Sequence, residues 1–160
     1  MSSLAGFPPI LDAQARILIL GSFPSAASLA GAHYYAHRHN QFWRILSTIL
    51  QQPLTDYDYP SKQAALKAAG IGVWDVYATC RREGSLDAAI REPLLNDFSQ
   101  LSLWAPHLRR VVFNGQTAGK QAKRLAVLGY ETRILPSTSP AHAGRSLEDK
   151  IALWREGLTL

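Results

Sequence analysis

Thiol chemistry is almost absent from this chain of 160 residues, because Cys80 is its one cysteine. An internal disulfide is excluded, and so is an iron–sulfur cluster held by several of the chain's own thiolates. No apolar run approaches the roughly 20 residues that cross a bilayer. Residues 1–9 lack the basic and apolar regions of a signal peptide. No internal repeat and no long linker interrupts the chain. A cytoplasmic protein without an iron–sulfur centre, and with no membrane partner, is therefore expected. Acidic residues are the scarcer charge, 12 against 17 Lys and Arg, which leaves a net charge of +5 and a pI near 9.6. That balance favours a polyanionic partner such as nucleic acid without specifying a function.

Against these absences stands an apolar fraction of 47%, enough at this length for one domain with a real core. Residues 1–15 read as an extended lead-in, stiffened by Pro8-Pro9. Ile17 to Leu20 is a four-residue apolar run that breaks at Gly21, the pattern of a buried strand ending in a sharp loop. Further strands are expected at Ile71 to Val76, Arg110 to Phe113 and Thr132 to Leu135. Between them, Phe42, Ile45, Leu46, Ile49 and Leu50 fall on one face of a helix that Asn40 can cap. Ser61 is placed as the cap of a short helix ending at Gly70. Tyr77 to Gly84 reads as a loop, Leu86 to Arg91 as a helical turn, and Asn96 to Trp104 as a helix. Ser146 and Asp149 open the last helix, whose inner face carries Leu147, Ile151, Trp154 and Leu158. Strands alternating with helices predict an α/β fold, a single-domain three-layer sandwich. Its centre is a mostly parallel four-stranded sheet with helices on both faces. Ligands of such sheets bind beyond the carboxyl ends of the strands. The irregular loops Gly21–Asn40 and Pro136–Arg145 should therefore flank one cleft.

The residues of those loops suit a flat ligand. Phe23, Tyr34 and Tyr35 offer rings on which a base can stack, although Phe23 fits core packing equally well. His33, His37 and His39 have no acidic residue among them, so a metal-dependent hydrolase is the weaker reading. Gly21-Ser22-Phe23-Pro24-Ser25 is not the G-x-S-x-G elbow of a serine hydrolase. Asp56 and Asp58 belong better to a tyrosine-rich surface loop than to a glycosidase carboxylate pair. Asn40 is open to two roles, helix cap and cleft amide. Ser137, Thr138, Ser139 and Arg145 can pin a phosphate or a minor-groove edge.

Three blocks of sequence resemble the uracil-DNA glycosylase superfamily. Its motif one, a glycine followed two residues later by Pro-Gly or a near variant after a buried strand, corresponds to Gly21-Ser22-Phe23-Pro24-Ser25. The F-A-H-x-x-N-x-F-W block of the mismatch-specific branch corresponds to Tyr35-Ala36-His37-Arg38-His39-Asn40-Gln41-Phe42-Trp43. The N-P-S-G-L-S-R motif corresponds in spacing to Ser139-Pro140-Ala141-His142-Ala143-Gly144-Arg145. Phe23 stands where uracil-removing members carry Asp or Asn, and the hypoxanthine-DNA glycosylase branch, which lacks that polar residue, is the better match. GVWDVYATCRREGSLDAAI, from Gly72 to Ile90, also resembles that branch.

The resemblance implies a monofunctional enzyme that hydrolyses the N-glycosidic bond of deaminated bases in DNA. The bases are hypoxanthine and, by extension, uracil or xanthine. It implies Asn40 and Ser139 as catalytic residues, with loop N–H groups near Ser139 receiving the departing base. Gly21, Ser22, Phe23, Tyr35 and Asp75 fall at base-binding positions, and Ser25, His142, Ala143 and Arg145 at DNA-binding ones. No metal or organic cofactor is implied, and a monomer is expected. A non-catalytic nucleic-acid or nucleotide-binding module on the same fold is the alternative, motivated by Phe23.

Overall fold

The structure, a computed structural model, describes residues 2–140, 142 and 144–160. Four parallel strands form the central sheet: β2 (Ile17–Gly21), β3 (Ile71–Asp75), β6 (Arg110–Asn114) and β7 (Glu131–Leu135), in the order β3-β2-β6-β7. All five residues of β2 are buried, as a strand covered on both faces must be. Its side chains divide by the period of two. Ile17 and Ile19 join one core with α2 (Phe42–Leu50), α3 (Tyr59–Ala68) and α7 (Leu147–Gly157), around Phe42 and Trp154. Leu18 and Leu20 join the opposite core with Trp74, Phe113, Leu101 of α4 (Leu101–Trp104) and Leu125 of α6 (Ala122–Val127). These two cores give the three layers. Among the described residues no helix is long and apolar enough to cross a membrane.

Residues 1–15 are not merely a lead-in. Ser3–Ala5 is a strand, β1, paired antiparallel with β4 (Tyr77–Arg81), and Ile10 bridges to Val73. β4 also pairs with β5 (Arg91–Leu95), which makes a second, three-stranded sheet. Tyr77 to Arg81 is therefore a strand rather than a loop. The helical turn expected at Leu86 to Arg91 shrinks to a 3-10 turn, Asp87–Ala89, before β5. Pro93 fits there because β5 is an edge strand. The helix expected from Asn96 is only Leu101–Trp104. The cap of α3 is Asp58, whose Oδ1 accepts from Ser61 N–H at 2.8 Å, with Pro60 in the first turn. After Gly115 come two short helices, α5 (Gln116–Gly119) and α6. α1 (Ala26–Gly31) caps on Ser25, and Ser146 caps α7 by accepting from Asp149 N–H at 3.1 Å.

Strand order reverses about β2, with β3 on one side and β6 on the other. Such a switch point opens a crevice beyond the strand ends, and the site lies there.

Candidate active site

A cavity of about 240 Å³ opens at the carboxyl ends of β2, β3 and β6. The loop after β2 supplies Gly21 to Ser25, the segment before α2 supplies Tyr34, Tyr35 and Asn40, and the loop after β7 supplies Ser137 to Ser139 and His142. Ser85, Leu86 and Asp87 close the remaining side.

The floor follows from strand register. Gly21 pairs with Asp75, and a Cβ on Gly21 would lie 2.6 Å from Asp75 Oδ1 and 2.9 Å from Tyr35 Oη. Only glycine leaves room for both polar groups. Asp75 is 4% exposed, and its Oδ2 has no hydrogen-bond partner. Burial pushes its pKa up to about 7; the Asp87 carboxylate adds to the rise and Arg82 opposes it. The Tyr35 hydroxyl is equally enclosed and unpartnered, and burial holds its pKa well above the usual tyrosine value. The Tyr35 ring stacks on Phe42 at 4.0 Å and 20°. Its backbone sits in the left-handed region at φ 54°, a strained conformation for a bulky residue.

Asn40 stands at the rim. It is not the residue adjoining α2, which begins at Phe42 after Gln41. Its Oδ1 still accepts from Phe42 N–H at 2.9 Å, so the amide is oriented by the helix it helps to start. Gln41 N–H donates to Thr138 O at 2.9 Å, joining this segment to the loop after β7. Lys150, 1% exposed, spans the same junction: Nζ donates to Gln41 Oε1 at 3.1 Å and to His142 O at 2.9 Å.

Asn114, at the end of β6, holds the second loop from below. It donates from Nδ2 to Thr138 Oγ1 at 3.0 Å and accepts Thr138 N–H at Oδ1, 2.9 Å. Ser139 N–H donates to Ser137 Oγ at 3.1 Å. The N–H groups of Thr138 and Ser139, expected to face a departing base, are thus occupied within the loop. Arg82 supports the first loop. It is 5% exposed, with Nη2 donating to Pro24 O and the guanidinium 5.4 Å from the centre of the Phe23 ring.

Gly21, Ser22, Phe23, Ser25, Tyr35, Asn40, Asp75, Ser139 and His142 therefore meet at one cavity. Arg145 is exposed and is not part of the lining, and Ala143 lies outside the described residues. His33 instead stacks on Tyr59 at 4.0 Å. Among the described residues no group of three His, Cys, Asp or Glu is placed to hold a metal. Sequence reasoning did not single out Asn114 as a site residue. An amide at the end of a buried strand beside the switch point was the available signal. Lys150, on an apparently solvent-facing stripe of α7, gave no signal.

The sequence signature of the Uracil DNA glycosylase superfamily matches residues 8–156. This chain belongs to that superfamily. A Hypoxanthine DNA glycosylase of Methanosarcina barkeri is 42% identical over 151 residues, covering 94% of this chain and 95% of that protein. One from Methanosarcina acetivorans is 44% identical over 137 residues, covering 86% and 87%. A solution NMR structure of a Methanosarcina acetivorans protein, assigned provisionally as a uracil DNA glycosylase, superposes with a TM-score of 0.89 at 39% identity. It covers 98% of this chain and 97% of that one. In this member of the uracil DNA glycosylase superfamily, motif one carries at position 23 a buried ring under a guanidinium, with no polar atom to hold water. The enzyme class is a hydrolase of N-glycosyl bonds.

Proposed function

We propose that this protein is a monofunctional DNA glycosylase that removes hypoxanthine, and secondarily uracil or xanthine, from DNA. It acts in the cytoplasm as a monomer, without metal or organic cofactor. The observation that carries the reading is the convergence of Tyr35, Asp75 and Asn40 on one cavity: a ring, a buried acid and an oriented amide. A base inside a duplex cannot be reached, so it swings out into this cavity at a cost of about a few kcal/mol. Tyr35 offers a face against which the base lies. Asp75, protonated near neutrality, offers an O–H donor and a carbonyl acceptor side by side. That pair complements the N–H and C=O of an oxopurine or uracil edge.

Bond cleavage leaves positive charge on the sugar and negative charge on the base. Asn40 directs water to the sugar. Because the nearby loop N–H groups are engaged, the charge on the departing base falls to the Asp75 proton and the Ser139 side chain. Ser25 and His142 in the cavity lining, and Arg145 outside it, face DNA. So does a groove across the Tyr34–Tyr35–Asn40 wall, which is lined by His33, His37, Arg38, Arg44 and Lys62 and by no carboxylate.

The test is alkali cleavage of oligonucleotides bearing hypoxanthine, uracil or xanthine after incubation with the protein in EDTA. Wild type is expected to leave alkali-labile sites, fastest with hypoxanthine. Asn40→Ser, which keeps an acceptor for Phe42 N–H, should lose about 100-fold or more in rate while its thermal midpoint holds. Folded wild-type protein that binds DNA in a salt-sensitive way and releases no base would instead establish the binding-module alternative.

A further inference from the structure

The chain carries a net charge of +5, yet among the described residues no lysine or arginine lines the cavity, while two acidic residues, Asp75 and Asp87, do. The two acids differ in character. Asp75 is enclosed at the floor, whereas Asp87 is exposed on the open side, where it begins the 3-10 turn Asp87–Ala89. Asp87 is also held in place. Ser22 Oγ donates to its Oδ1 at 2.6 Å, and Ser85 Oγ, two residues earlier, accepts from Ala26 N–H at 2.9 Å. The arginines nearest along the chain are turned to other partners. Arg81 pairs with Glu92 at 2.7 Å, Arg82 donates to Pro24 O, and Arg91 donates to Ala88 O at 2.8 Å and Ile90 O at 3.0 Å. Among the described residues Asp87 has no ion-pair partner. Its charge reaches the floor of the cavity, where it is second to burial in holding up the pKa of Asp75.

We propose that Asp87 is a specificity-determining residue: its fixed carboxylate admits bases that enter the cavity neutral and disfavours those that enter as anions. The proposal rests on the glycosylase reading of the cavity. Hypoxanthine and uracil in DNA are neutral near neutrality. Xanthine carries a second ring carbonyl, which makes the base of its nucleoside acidic enough to be mostly an anion there. Like charges a few ångströms apart in a partly desolvated cavity cost about tenfold or more in affinity. A neutral base spreads its developing charge onto the Asp75 proton as the bond breaks. The xanthine anion brings a full charge before the bond begins to break, and meets the Asp87 carboxylate from entry onward. Asp87 thus places xanthine below hypoxanthine and leaves uracil unaffected.

The experiment measures single-turnover base release from oligonucleotides bearing hypoxanthine, uracil or xanthine. It is run at about pH 6.5, below the Asp75 pKa of about 7, so that the Asp75 proton is present for each base. Wild type is compared with Asp87→Asn, which keeps an acceptor for Ser22 and removes the charge, and with Asp87→Glu, which keeps the charge. Ser22→Ala loosens the tie and also keeps the charge. In Asp87→Asn the ratio of xanthine to hypoxanthine release is expected to rise about tenfold, with the ratio of uracil to hypoxanthine constant within about twofold. Asp87→Glu and Ser22→Ala are expected to keep both wild-type ratios. An unchanged xanthine ratio in Asp87→Asn would overturn the proposal. So would an equal change for uracil, or the same change in Ser22→Ala, because Asp87 would then be a loop tie. If wild type releases no base, the glycosylase reading fails, and anisotropy binding of the same oligonucleotides decides the role of Asp87. A preference for hypoxanthine over xanthine that Asp87→Asn abolishes upholds it, and a preference that is absent or survives the substitution overturns it.

Discussion

Asp75 is a carboxyl group at the floor of a cavity, beside a tyrosine hydroxyl and away from any full hydrogen-bond set. Its pKa near 7 lies above that of an unfolded aspartate, about 3.9. The folded state therefore holds an extra proton between those values, and stability falls as pH rises through that window. The penalty is absent below about pH 4 and complete above about pH 7. Each tenfold change in proton affinity is worth about 1.4 kcal/mol. Asp75→Asn should accordingly stabilise the protein by roughly 1–3 kcal/mol at pH 8 and very little at pH 4, as denaturant titrations at the two values would show. In activity the same proton acts the other way. Wild-type base release should decline above pH 7 as the acid ionises, and a rate that keeps rising to pH 9 would exclude the neutral acid as the donor. Asp75 was legible as a strand-end acid; its pKa was not, because burial beside Tyr35 and the added charge of Asp87 come from separate segments of the chain.

Between elements, the site depends on how α7 meets α2. Lys150 is buried, has no carboxylate partner among the described residues, and ties Gln41, next to Asn40, to the carbonyl of His142. Lys150→Met keeps the length and apolar stem but removes both donors. The fold should survive, since removing an ammonium with no opposite charge beside it also removes its desolvation cost. Base release should nevertheless drop about tenfold through misplacement of Asn40, with the thermal midpoint as the control. The helical stripes of α2 and α7 were readable because Phe42, Ile45 and Leu46, and Trp154 with its neighbours, repeat at helical spacing. The pairing of β1 and β4 was not, because a strand of three residues has no period. Its partner lies more than 70 residues away along the chain. Asp58 rather than Ser61 caps α3 for a similar reason: both residue types suit the position, and chain geometry selects one.

At the scale of the molecule, the excess of basic residues acquires a location. The groove behind the Tyr34–Tyr35–Asn40 wall, a cavity of about 320 Å³, gathers three arginine or lysine side chains, Arg38, Arg44 and Lys62, with Lys62 5.1 Å from the Trp43 ring centre. Each phosphate contact releases condensed counterions, so Arg44→Ala with Lys62→Ala should flatten the log–log salt dependence of duplex binding by about two, one for each cation. Fluorescence anisotropy between low and moderate salt measures it. Slopes identical to wild type would move the DNA path to another face.

The order of apolar and polar residues settled the layered α/β architecture, the strand that ends at Gly21 and the loops that carry the chemistry, because period and turn composition are local properties. Tertiary structure alone decided that Asp75 faces Gly21 across one register, that Asn114 and Lys150 brace the second loop, and that Asp87 joins Ser22 at the lip. Those facts depend on which segments far apart in the chain come to share a volume, and burial, the cause of the Asp75 proton, exists only once they do.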